Sequence, residues 1–145
     1  MSEVGVYRSQ IRIIAGVKTY ASNIEASPAF QILQRAMEVV AQQHDGTLSH
    51  TVTDCCGRQT ECDFAVITQE VPRGVGLKID RQTGVVNFVF DPVGGYQTIA
   101  QTITDEITQS YTAIALIRAM KSLGYEVEEE APQRGQESVM LVGVM

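Results

Sequence analysis

The chain has 145 residues, of which 44% are hydrophobic and 19% charged, and its net charge is −6. These values fit one globular domain whose core needs no disulfide or metal staple, and they exclude intrinsic disorder. An acidic chain with a pI of about 4.8 also lacks the basic face on which nucleic-acid phosphates or an anionic membrane would dock, so neither is an expected partner.

The β-rich run Ile11-Arg12-Ile13-Ile14, within Val6 to Ala15, predicts a first strand. Ser27-Pro28 is a helix start, with a hydroxyl able to cap and a proline suited to the first helical position. Phe30, Leu33, Met37 and Val40 then recur at helical spacing up to Asp45-Gly46. Leu48, His50 and Val52 alternate with Thr47, Ser49 and Thr51, which predicts a half-buried strand. A turn over Asp54 to Gln59 leads to a partner strand in which Cys62, Phe64 and Val66 alternate with polar residues.

Pro72-Arg73-Gly74 precedes a second hairpin, Val75 to Ile79 and Val85 to Phe90, closed by Arg81-Gln82-Thr83-Gly84. After the loop Asp91 to Gly95, Ile99, Ile103, Ile107, Tyr111, Ile114 and Ile117 mark a long helix ended by Leu123-Gly124. Tyr125 to Glu130 and Val139 to Val144 complete the pattern as a final pair of strands. The expected fold is α+β: an antiparallel sheet of six or seven strands with two helices on one face, in a single domain over 1–145. Leu33-Gln34-Arg35-Ala36-Met37 echoes Leu116-Ile117-Arg118-Ala119-Met120, which would fit two strand–helix–hairpin units.

Residues 57–145 resemble a family of small cyanobacterial and plastid proteins known as hypothetical chloroplast reading frame thirty-five. The resemblance is carried by Gly57-Arg58-Gln59, Cys62-Asp63-Phe64-Ala65-Val66-Ile67, Gly76-Leu77-Lys78-Ile79 with Gly84, Ile107-Thr108-Gln109-Ser110-Tyr111 and Leu123-Gly124-Tyr125-Glu126-Val127. It implies the fold and a small accessory role in a cyanobacterial-type context, and it brings no catalytic residues. The chain departs from the family pattern in its Cys55-Cys56 pair, in an expanded stretch from Asn23 to Asp54, and at Ser110, Thr112 and Ala113.

Every histidine and cysteine of the chain falls in one 19-residue window: His44, His50, Cys55, Cys56 and Cys62. Imidazole and thiolate suit zinc or another soft-ligand metal, and a diagonal His50–Cys62 pair on one strand face would lie roughly 5–8 Å apart. The spacing matches no standard zinc or iron–sulfur pattern, and the face shared by His50 and Cys62 also carries Leu48, Val52, Phe64 and Val66, so the cluster reads first as core packed on the helices. In a thiol reading, Arg58 would lower the pKa of Cys56 and His50 would serve as base. Asp80, Asp91, Asp105 and Glu106 read as surface charges rather than as an acid–base pair. The run Glu126, Glu128, Glu129 and Glu130 reads as a solvated strand edge.

Three cysteines, two of them adjacent, do not form a secretory disulfide framework. With no signal peptide visible at the start, a cytoplasmic or stroma-like compartment is expected. The leading functional expectation is a non-catalytic accessory protein that acts through protein–protein contacts. It needs no cofactor, and its partner is an unidentified protein or a second copy of the chain. Val139 and Leu141, in the apolar closing strand, are the candidate contact residues. The alternative is a metal- or thiol-dependent protein built on the 44–62 window.

Overall fold

The computed structural model describes residues 4–12, 27–124, 126–130 and 140–144. In chain order these form strand β1 (Gly5–Arg12), helix α1 (Pro28–Gln43), β2 (Thr47–Thr53), β3 (Gln59–Ile67), β4 (Val75–Ile79), β5 (Val85–Phe90), helix α2 (Gln97–Ser122), β6 (Glu126–Glu130) and β7 (Met140–Val144). Ile13, Ile14 and Ala15, expected in the first strand, lie outside the described residues, as do Tyr125 and Val139.

The fold is α+β, but among the described residues the strands fall into two sheets and not one of six or seven. Five antiparallel strands are ordered β1-β5-β4-β3-β2, and β6 and β7 pair separately with each other. The hairpin after α1 thus joins the main sheet, whereas the hairpin after α2 makes its own ladder. Among the described residues, the echo between the two helices is not matched by a like pairing of the hairpins that follow them. The helices differ as well, with 16 residues in α1 and 26 in α2.

Helix α1 starts where the capping signal places it. Ser27 Oγ accepts the Phe30 N–H at 3.1 Å, and Pro28 occupies the first turn. Its stripe of Phe30, Leu33, Met37 and Val40 packs with Ile103 and Ile107 of α2 against one sheet face. That face presents Phe64 and Val66 from β3, Val75, Leu77 and Ile79 from β4, and Val86, Phe88 and Phe90 from β5. These are alternate residues, as the pleat requires. At the end of α1, Asp45 takes a left-handed φ of 52°. Gly46 follows so close to the Ile67 carbonyl oxygen that a Cβ there would stand 2.4 Å from it.

At about 39 Å, α2 is longer than the strands it covers. Its distal half carries the exposed Leu116 (47%), and the exposed Leu123 (71%) follows at its C-cap. Among the described residues, no helix is long and apolar enough to cross a membrane.

The β2–β3 hairpin is not flat. Pairing runs from Thr47↔Ile67 to Ser49↔Ala65 and resumes at Thr51↔Glu61. Between these points β2 contributes His50 alone while β3 contributes Cys62, Asp63 and Phe64. Val52 therefore pairs with Thr60. Two extra residues on one strand bend the ladder, and the distal half of the hairpin folds over the back of the sheet. Parts of β2 come within 8 Å of β4 and β5, whereas in a flat sheet β2 and β5 would be about 14 Å apart.

The fold-over buries a second, smaller cluster: Val52, Cys62, Ala65 and Val89, with Val4 and Ile67 at its margin. Its floor is Gly76, which pairs with Ala65 on one side and Val89 on the other. A Cβ at Gly76 would meet Cys62 Sγ at 2.8 Å and methyls of Val52 and Val89 at 2.9 Å. Glycine here is a packing requirement, because the space above it is filled by three side chains.

Gly76→Ala should therefore destabilise the protein by about 1–3 kcal/mol through overpacking, measured by urea denaturation. A change below about 0.5 kcal/mol, the range of ordinary surface substitutions, would show that the hairpin does not press on this position.

Candidate functional site

The folded-over hairpin carries its turn, Asp54 to Arg58, to the ends of β4 and β5. Two buried carboxylates fix it there. Asp54 accepts the backbone N–H groups of Cys56 (2.8 Å) and Arg58 (2.9 Å) through Oδ1, and the Arg58 Nε–H through Oδ2 at 2.9 Å. Burial by itself would raise the pKa of Asp54. The backbone donors of Arg58 and Cys56, with the Arg58 guanidinium, outweigh it and hold the carboxyl below its ordinary value.

Asp91, only 1% exposed just after β5, accepts the Cys55 N–H at 2.8 Å and the Val93 N–H at 3.0 Å. Arg73 faces it at 3.5 Å, donates to the Val93 carbonyl at 2.8 Å and lies over the Tyr96 ring. The Thr53 N–H also donates to the Arg73 carbonyl. Asp91 is thus a buried tie between three segments rather than a surface charge. A lone aspartate before a proline carries no sign of this in sequence. For Asp54 a sign exists, since Asp-Cys-Cys-Gly is a turn in which an aspartate can accept from its own backbone.

On this frame Cys55 and Cys56 are both exposed, with their sulfurs 3.7 Å apart. Arg58 does not activate Cys56 as the sequence suggests. The Cys56 thiol is pushed above its ordinary value, first by its hydrogen bond with Cys55 and by charge there, then by burial and by Asp54, and the opposing effect of Arg58 is the smallest. The guanidinium is occupied by Asp54. The expected base, His50, is engaged elsewhere: its Nδ1–H donates to the Asp63 carbonyl at 2.9 Å, and its ring lies near Phe64.

The five residues of the histidine–cysteine window therefore do not converge. His50 stays beside Phe64, whereas the bend turns Cys62 into the back-face cluster above Gly76, which separates the expected diagonal pair. His44 sits at the end of α1, with Nδ1 3.3 Å from Glu70 and Nε2 2.9 Å from Glu106 of α2. The ring thereby clamps the end of α1 to α2 and to the loop after β3. Glu106 is thus part of a clamp and not a free surface charge. Among the described residues, no group of three or more His, Cys, Asp and Glu side chains is placed to hold a metal ion.

Beyond the reach of the turn, the back face is concave. A depression of about 440 Å³ is bordered by Glu61, Asp63, Lys78, Asp80, Arg81 and Asn87. Within it Asp63 pairs with Arg81 and also accepts the Ile79 N–H at 2.8 Å. Asp80 accepts from the Gln82 and Thr83 backbone, which lowers its pKa. Of the two candidate contact residues, Leu141 lies in β7 with Glu129 of β6 as its register partner, and Val139 is outside the described residues. No protein-family model, no curated protein and no solved structure matches the chain.

Two outcomes are expected. Asp91→Ala strands the Cys55 and Val93 amides, so it should cost about 2–4 kcal/mol and accelerate hydrogen exchange at those two positions; unchanged exchange would show that the turn is held by other contacts. Cys62 is the second case, because burial pushes its thiol up to about 11 from 9.0. The folded state keeps its proton where the unfolded chain releases it, so its contribution is complete below pH 9 and is lost as pH rises towards 11. That part of the alkaline loss of stability, up to about 2–3 kcal/mol, should be absent in Cys62→Ala, and identical alkaline profiles for the two proteins would refute the assignment.

Proposed function

We propose that the protein is a small non-catalytic accessory protein that acts through protein–protein contact, and that the contact is made by strand β7 pairing with β7 of a second copy. The observation that carries this reading is the separate β6–β7 ladder and the difference between its two edges. A two-stranded ladder is marginal by itself and gains from a third strand. Strand β6 is guarded by Glu126, Glu128, Glu129 and Glu130, whereas β7, Met-Leu-Val-Gly-Val, has no charge and no proline.

The main sheet offers poorer edges. Strand β1 contains Arg8 and Arg12 and an irregularity between them. Strand β2 bends away at His50, and its Thr53 N–H is already bonded to Arg73. Charges, bulges and bends of this kind are how edges resist pairing. A two-fold axis beside β7 would join two ladders into one four-stranded sheet with the acidic strands outermost, where like charges lie farthest apart. The resemblance of residues 57–145 to the plastid reading-frame family is compatible with such an accessory role.

The test is sedimentation of the wild-type chain beside Leu141→Lys. Lysine is chosen over glutamate because it stands opposite Glu129 in the ladder, so the hairpin keeps a favourable cross-strand pair while the outer strand gains a charge. The expected result is a concentration-dependent dimer for the wild type and a monomer with an unchanged melting curve for the variant. A wild-type monomer throughout, or a variant that still dimerises, would overturn the reading.

A further inference from the structure

The exposed turn at the tip of the folded-over hairpin has a chemistry that contact at β7 does not use. We propose that Cys55 and Cys56 form a two-thiolate site for a soft d10 cation of the zinc type, open to solvent on its outer side. Three observations lead there: both thiols are exposed, their sulfurs are 3.7 Å apart, and the backbone beneath them is fixed by Asp54 and Asp91.

Distances decide between the two reactions open to adjacent thiols. A disulfide needs sulfurs at about 2.05 Å and Cα atoms at 4.4–6.8 Å, whereas neighbouring residues across a trans peptide have Cα atoms about 3.8 Å apart. Closing that ring would distort a turn held by hydrogen bonds from the Cys55, Cys56 and Arg58 amides. Two thiolates bound to zinc at about 2.3 Å with tetrahedral angles stand about 3.8 Å apart. The free protein already holds that separation, so the ion enters with little rearrangement of the backbone.

Binding replaces two S–H bonds by two metal–sulfur bonds and releases two protons to solvent, with no oxidant or reductant involved. Uptake therefore strengthens as pH rises. Two protein ligands leave the remaining positions to water or an incoming ligand. Such a site exchanges its ion, unlike a closed four-ligand structural centre. Cys62 is no competitor, being buried and holding its proton to about pH 11.

The experiment is titration of the reduced, full-length chain with Cd²⁺ alone, followed by thiolate-to-metal charge-transfer absorption. Parallel alkylation of each cysteine is mapped with and without Zn²⁺. One Cd²⁺ per chain should bind to the wild type, and affinity should fall by at least about tenfold in Cys55→Ser and in Cys56→Ser, since each loses one of two ligands. Zn²⁺ should slow alkylation of Cys55 and Cys56 together in the wild-type protein, a readout that requires no variant to fold. No charge-transfer band at stoichiometric Cd²⁺, a band unchanged in Cys55→Ser, or alkylation rates indifferent to Zn²⁺ would each overturn the site.

Discussion

The close approach over Gly76 is the contact on which the back of the molecule depends. Ala65 and Gly76, both small and in register on adjacent strands, leave a shallow trough into which Val52, Cys62 and Val89 lean. The bend in the β2–β3 hairpin brings Val52 there, and the extra residues of β3 deliver Cys62 to the same face. Without that trough the hairpin would continue the plane of the sheet. Val52 and Cys62 would then be exposed or directed at the helices, and Asp54 and Cys55 would not reach Asp91. The front face needs no such device, because the stripes of α1 and α2 cover it in the ordinary way.

The polar contacts work in the same direction as the packing. Asp54 and Asp91 are buried carboxylates, which are costly unless they are satisfied. Each accepts backbone N–H groups that a turn leaves without partners, and each has an arginine at its margin. The turn is thereby stiffened while its cysteine side chains remain in solvent. Preorganisation of this kind lowers the cost of binding, since the geometry is set before a ligand arrives. His44 performs a comparable mechanical task on the opposite side, bridging Glu70 and Glu106 and so joining the end of α1 to α2.

The two sites of interest are separate parts of one economy of surface. In the main sheet, edges are closed by arginine, by irregular pairing or by bending, so the five-stranded unit has little means of adding a strand. In the β6–β7 ladder the glutamates lie on β6, and the sequence of β7 carries no charge. The contact proposed through β7 and the chemistry proposed at the Cys55-Cys56 turn call on different residues.

Much of the architecture was legible in the sequence, where local physics is strong. The cap at Ser27-Pro28, the stripe from Phe30 to Val40, both hairpin turns, the isoleucine repeat of α2 and its stop at Gly124 follow from periodicity and turn chemistry, and the α+β arrangement follows from their order. The separate pairing of β6 and β7 was not legible, because alternation identifies a strand without naming its neighbour. The candidate site was legible in one part, the adjacent cysteines in a glycine turn. The rest of the histidine–cysteine window misled, since proximity along the chain says nothing about which face a residue takes once two extra residues enter a ladder. Strand register, the burial of Asp91 and the capture of His44 by Glu70 and Glu106 are contacts between segments distant in sequence. The sequence by itself determined where elements begin and end and which stripe of each is apolar, because those depend on neighbours within a few residues. Only the tertiary structure decided which faces meet, which carboxylates are buried and which thiols reach solvent, because those depend on a bend that packs three side chains against one glycine.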